Sequence, residues 1–164
     1  MYNIKLKVDL KDIERLSKEA PEVSRSVRIS KITEAVNLLE RAISMLTPIG
    51  AGPTHLRSTI FNRVDMYGET ISGTIGTPAI YGEAVEYGTK PHFPPVAPIQ
   101  HWVERKLGIS GKDAKTVAFL IARKISKHGT KGAHMFEKGF ADNEARIRRM
   151  LESIPEEIVR RLKG

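Results

Sequence analysis

Ile29, Ile32, Val36, Leu39, Ile43 and Leu46 recur at intervals of three and four along the chain. That spacing lays one apolar stripe along a single face of a long helix. The helix must stop at Thr47-Pro48, because a residue that precedes proline is pushed out of the helical conformation. A stripe of this length cannot stay in water, so another part of the chain has to lie across it. The stretch "LRSTIFNRVDMYGETISGTIGT" offers that surface. It contains two β-rich runs, one with Ile60, Val64 and Met66 and one with Ile71, Gly73 and Ile75, joined as a hairpin near Tyr67-Gly68.

At the start of the chain Tyr2, Ile4, Leu6 and Val8 alternate with Asn3, Lys5 and Lys7, the period of a half-buried strand. Asp9 or Asp12 can then cap a short helix ending near Pro21. Downstream, "PIQHWVERKLG" predicts a helix from Pro98 to Gly108 that buries Ile99, Trp102, Val103 and Leu107. "KDAKTVAFLIARKISKHG" predicts a second, ended by Gly129, with Val117, Leu120, Ile121 and Ile125 as its core stripe. The last segment carries Phe136, Phe140, Ile147, Leu151, Ile154, Ile158 and Leu162 at helical spacing, with a kink or restart at Ser153 and Pro155. These elements give the α+β class: a small antiparallel β-sheet packed against a long N-terminal helix and further C-terminal helices. Without repeats or a low-complexity tract, 1–164 reads as a single domain, with a strand and helices over 1–47, the β-hairpin and a proline-rich loop over 48–98, and a helical part over 99–164.

Charge and composition narrow the chemistry. The absence of cysteine excludes disulfides, thiolate metal sites and cysteine nucleophiles. No apolar run is long enough to span a bilayer, and the first residues offer no signal-peptide core, so a cytoplasmic protein with no membrane partner is expected. The net charge of +8 is concentrated: residues 100–138 hold 9 Lys and Arg against 3 Asp and Glu, whereas residues 48–99 hold 3 against 4. Lys112, Lys115, Arg123 and Lys127 fall mostly opposite the apolar stripe of their helix, as on a solvated face. Phe119 stands alone there, without the aromatic interleaving that stacks bases.

No catalytic constellation emerges. "GISGK" (Gly108 to Lys112) lacks the phosphate-loop spacing and has Asp113 where Ser or Thr would hold magnesium, so it reads as a turn between helices. Glu83 and Glu86, three apart with His92 nearby in sequence, could form an acid-base or metal pair, but exposed carboxylates are far more often solvated. His101 reads as a rim residue, and His128 and His134 flank a Gly-rich bend with no matching carboxylate or histidine at helical spacing. Ser58, Ser72 and Thr74 lack an obvious base. The expectation is therefore no enzyme, no catalytic or metal residue and no cofactor.

One stretch is out of keeping with the rest. "VEYGTKPHFPPVAP", Val85 to Pro98, is long for a connection and holds four prolines with apolar anchors. Taken with "IQHWVERKLGI" and "AFLIARKISKHGTKGAHMFEKGF", it resembles the bacteriophage tail-component family that includes neck, or tail-completion, proteins joining head to tail in long-tailed phages. A long helix before Thr47-Pro48, Leu56-Arg57 at the first strand, the "VEYGT" motif leading into Pro91-His92, and Gly129-Thr130-Lys131 followed by Phe136 carry the likeness, from about Ile29 to Phe140. The loop "IGAGPTH" departs from it, since members often carry Thr-Gly directly before the leucine.

The resemblance implies a structural virion protein that forms a homo-oligomeric ring at the head-proximal end of the tail, bound to other phage tail and connector proteins. It would be found in the host cytoplasm during assembly and then in the virion neck. Tyr87, Gly88, Thr89, Pro91, His92, Phe93, Pro94 and Pro95 would contact a partner, and Lys112, Lys115, Arg123, Lys124, Lys127 and Lys131 would form a basic interface. Alternatively the loop folds over the domain's own sheet, or the same cations serve a small nucleic-acid-binding module; DNA contact is the less favoured reading.

Overall fold

The structure is a computed structural model and describes residues 2–7, 15, 18–50 and 55–163. It is α+β, as the sequence pattern predicts. Strands β1 (Tyr2–Lys7), β2 (Phe61–Tyr67) and β3 (Thr70–Thr77) form an antiparallel sheet in the order β1-β3-β2. Pairing in β2–β3 runs from Phe61 opposite Gly76 to Tyr67 opposite Thr70, which leaves Gly68 and Glu69 as a two-residue turn. β1 pairs with the other side of β3, from Tyr2 opposite Thr77 to Lys7 opposite Ser72. Val8, Asp9 and Asp12 lie outside the described residues.

The long helix α1 (Pro21–Leu46) crosses this sheet. Pro21 opens it, since the first turn of a helix has no use for the missing N–H, and the helical residues Lys18 and Glu19 end just before it, as the sequence predicts for a short helix near Pro21. Ile32, Val36, Leu39 and Ile43 are buried as predicted and meet Ile71 and Ile75 of β3 in the main core. Ile29 and Leu46 are partly exposed, and Val27 and Ala35 take buried places instead. At the end of α1 the buried group is Thr47, whose hydroxyl donates to the Ile43 carbonyl at 2.7 Å. Leu56 and Arg57 belong to a helical turn, α2 (Leu56–Thr59), not to the first strand. Met66 points into solvent.

Helix and sheet approach so closely at one point that only glycine fits. A Cβ on Gly73 would stand 2.4 Å from Val36 Cγ1 and 3.0 Å from Ile32 Cγ2. The other side of α1 is covered by α6 (Met135–Ala141), α7 (Glu144–Glu152) and α8 (Ile154–Leu162). α7 gives way to α8 at Ser153, ahead of Pro155, as predicted; the break at Asp142-Asn143 is additional. Met135, Phe136 and Ile147 enter the main core, while Ile154 and Ile158 pack on Val27 as a smaller cluster.

Between sheet and C-terminal helices lie α3 (Gly82–Tyr87), strand β4 (Gly88–Thr89), the antiparallel helices α4 (Val96–Leu107) and α5 (Gly111–His128), and strand β5 (Thr130–Lys131). α4 and α5 have their own cluster, built on Val103, Ala114 and Ala118. Here the predicted stripes need correction. On α5 the fully buried positions are Ala114, Ala118 and Ala122, and Leu120 is exposed; on α4 only Val103 is fully buried, with Trp102 and Leu107 exposed. Small alanines let two helices come close, and larger apolar residues such as Trp102, Leu107 and Leu120 are left exposed at the flanks.

Replacing Gly73 by Ala should destabilise the domain by about 1–3 kcal/mol, the usual scale of overpacking. Adding Val36→Ala should recover part of that loss, as read by equilibrium urea unfolding. Additive losses would show that the two positions do not meet.

Candidate functional site

The segment Val85 to Thr89 is fastened along its whole length to Thr130 to Glu137. Gly88 pairs with Lys131 and Thr89 with Thr130, and the two threonine hydroxyls lie 3.0 Å apart. Further along, the N–H groups of Ala133 and His134 donate to the carbonyls of Val85 and Glu86 at 2.8 and 3.0 Å. The ribbon is tight enough to require glycine on both sides. Gly88 and Gly129 have φ of 81° and 69°, and a Cβ on either would fall about 2 Å from the carbonyl oxygen of Thr130 or Thr89.

The fastening ends in a side chain. Glu86 is fully buried, and its two oxygens accept from the N–H groups of Phe136 (3.0 Å) and Glu137 (3.1 Å) in the first turn of α6. The expectation of a solvated carboxylate is therefore wrong for Glu86. First-turn N–H groups have no partner inside their own helix, and the helix dipole favours negative charge there, so the carboxylate satisfies two orphaned donors and is itself satisfied. Glu83 is exposed and does not share this role.

His134, just before α6, sits in the left-handed region with φ 53°. Its Nδ1 is 2.9 Å from Glu137 Oε2, so it does have a carboxylate at helical spacing, contrary to the sequence reading. Its ring also meets Tyr87 edge-on at 6.5 Å. Glu86, His134 and Glu137 each bring one metal-capable atom within 4.8 Å of the others. A cation there would face two N–H donors at the positive end of a helix, so the cluster's chemistry is that of a cap. His92 is not in this cluster; its ring Nδ1 is 2.9 Å from the Lys90 carbonyl, to which it donates as the Nδ1–H tautomer.

Beyond the ribbon the loop runs at the surface. Pro91, His92, Phe93 and Pro95 are exposed and Pro94 is half-buried. Phe93, 56% exposed, does not cover the sheet; its ring lies 6.0 Å from that of Phe119 on α5. Gly88 and Thr89, expected as contact residues, serve as ribbon. Lys112, Lys115, Arg123, Lys124, Lys127 and Lys131 are all exposed, and none is in an ion pair among the described residues. Lys115 and Arg123 stand one turn either side of Phe119, whereas Lys124 is turned to the opposite flank of the helix. The structure thus joins the loop and part of the basic helix into one surface.

The sequence offers Glu86 only as one of a pair with Glu83, and the ribbon that Gly88 and Gly129 close was not anticipated. The signal that could have found it is the pairing of two Gly-containing segments, "EYGT" and "HGTKG", each too short to be a strand alone. No helix among the described residues is long and apolar enough to cross a membrane. No family model matches the chain, and no curated protein or solved structure matches it.

Glu86→Gln replaces one acceptor oxygen with a donor facing an N–H, and should cost about 1–3 kcal/mol of stability. Hydrogen exchange should rise most at the amides of Phe136 and Glu137. An unchanged exchange rate at those two amides would contradict the cap.

Proposed function

We propose that this chain is a structural virion protein of a phage or prophage, acting in head-tail joining or tail completion as a ring at the head-proximal end of the tail. One observation carries the reading beyond the resemblance. The proline-braced loop from Lys90 to Pro95 springs from a ribbon fixed at both ends and keeps Phe93 and His92 at the surface, with Phe93 beside α5, whose exposed cations are in no ion pair among the described residues. A loop already ordered loses little entropy on docking, which suits repeated assembly of identical subunits. Tail and connector proteins are the proposed partners, and the host cytoplasm, then the virion neck, the proposed locations.

The reading is non-catalytic. The groups that meet at close range, Glu86, His134 and Glu137, are engaged in holding a helix start. The second reading, a nucleic-acid-binding module, gains support from Phe93, which gives Phe119 an aromatic neighbour among lysines and arginines. The two readings part over salt and partner.

Replacing His92 and Phe93 by alanine should change stability by less than about 1 kcal/mol, as expected for exposed positions, yet stop purified chain from capping tails in electron micrographs of mixtures with its own tail and connector proteins. A loss of about 3 kcal/mol or more would instead mark Phe93 as buried cover.

Changing Lys115, Arg123 and Lys127 to glutamate should block the same capping without unfolding the domain, and rising ionic strength should slow capping by the unaltered chain. Titration with random-sequence DNA duplex at low salt separates the alternative. Micromolar or tighter binding that the triple change abolishes would favour the nucleic-acid module.

A further inference from the structure

The helices α4 and α5 leave one face open. Pro98, Ile99, Trp102 and Ile121 line a groove of about 310 Å³ between them. Phe119 and Ile121 are two residues apart and so lie on opposite flanks of α5, which separates this groove from the Phe93–Phe119 surface. The hairpin's fully buried cluster is one valine and two alanines, with Val96, Ile99, Ile109, Val117 and Ile121 partly buried against it. Trp102, Leu107 and Leu120 remain 38%, 51% and 56% exposed at its flanks. A groove between two helices can take the apolar face of a third.

Charge says what that third element is made of. Residues 96–128 carry seven Lys and Arg against two carboxylates, Glu104 and Asp113. Glu104 accepts from Gln100 at 2.9 Å and lies 3.6 Å from His101 Nδ1. Lys106 follows Trp102 by four positions and Lys124 follows Ile121 by three, so each stands one turn from the groove floor, exposed and outside any ion pair among the described residues. A second copy would bring the same cations to the groove if it docked through the same face.

We propose that the groove binds an acidic amphipathic helix of a partner protein, its apolar side on Ile99, Trp102 and Ile121 and its carboxylates toward Lys106 and Lys124. This surface is independent of the loop that carries the proposed function. Failure of either leaves the other standing.

Trp102 is the chain's sole tryptophan, so its emission reports on the groove directly. The probe is a synthetic helix of about 18 residues, leucines on one face and glutamates on the other, tested beside the same peptide with lysine for glutamate. The glutamate peptide should shift Trp102 emission to the blue with saturation, and the lysine peptide should not. Lys106→Glu with Lys124→Glu, both exposed, should weaken binding about tenfold or more, and Ile121→Ser should weaken it similarly. Equal shifts with both peptides, no shift with either, or a shift produced only by phosphatidylserine vesicles or DNA duplex would overturn the proposal.

Discussion

The carboxylate of Glu86 reaches from the end of α3 into the first turn of α6, and the segments on either side of it are held in register by that reach. Without an acceptor, the N–H groups of Phe136 and Glu137 would be orphaned beside the main core, and a buried carboxylate without donors would be more costly still. Each defect is cured by the other. The bond also seats Met135 and Phe136, both fully buried, against α1, so a polar contact sets the position of an apolar one.

From this anchor the chain makes a detour. The ribbon of β4 and β5 brings the two ends of residues 90–129 together, and everything between them is the loop and the helical pair α4–α5. Among the described residues the main core lies where α1 is sandwiched between sheet and C-terminal helices, with the smaller Val27 cluster on the same helix, and a separate one lies inside the helical pair, with small residues at its contact. The first buries the larger side chains, Phe136, Met135, Leu39 and Ile43 among them. The second leaves its larger apolar side chains and most of its cations outward, as a surface used for contact would.

Residues with one strong local reason were legible in the sequence. The stripe from Ile32 to Ile43 follows helical period, Gly68 marks the hairpin turn, and Gly108, Gly129 and Pro155 mark helix ends by their backbone preferences. What could not be read depends on contacts between distant residues. Leu120 and Trp102 have the period of buried positions, but burial needs a covering element, and periodicity does not say whether one exists. Glu86 looks like any surface glutamate until residues 50 positions away supply two N–H donors. For the same reason His134 and Glu137 were missed as a pair, since the helix start that aligns them is itself set by Glu86. The loop was legible as an unusual segment, and its place at the surface became clear only with Phe93 against Phe119.

The central claim is that the loop is held ready for a partner before any partner arrives. Backbone ¹⁵N relaxation at the amides of Lys90, His92 and Phe93 in the isolated chain tests it most directly. A pre-organised loop should give order parameters near 0.85, the level of rigid backbone, whereas values below about 0.6 would mean that the ribbon and prolines do not hold it and would contradict the account.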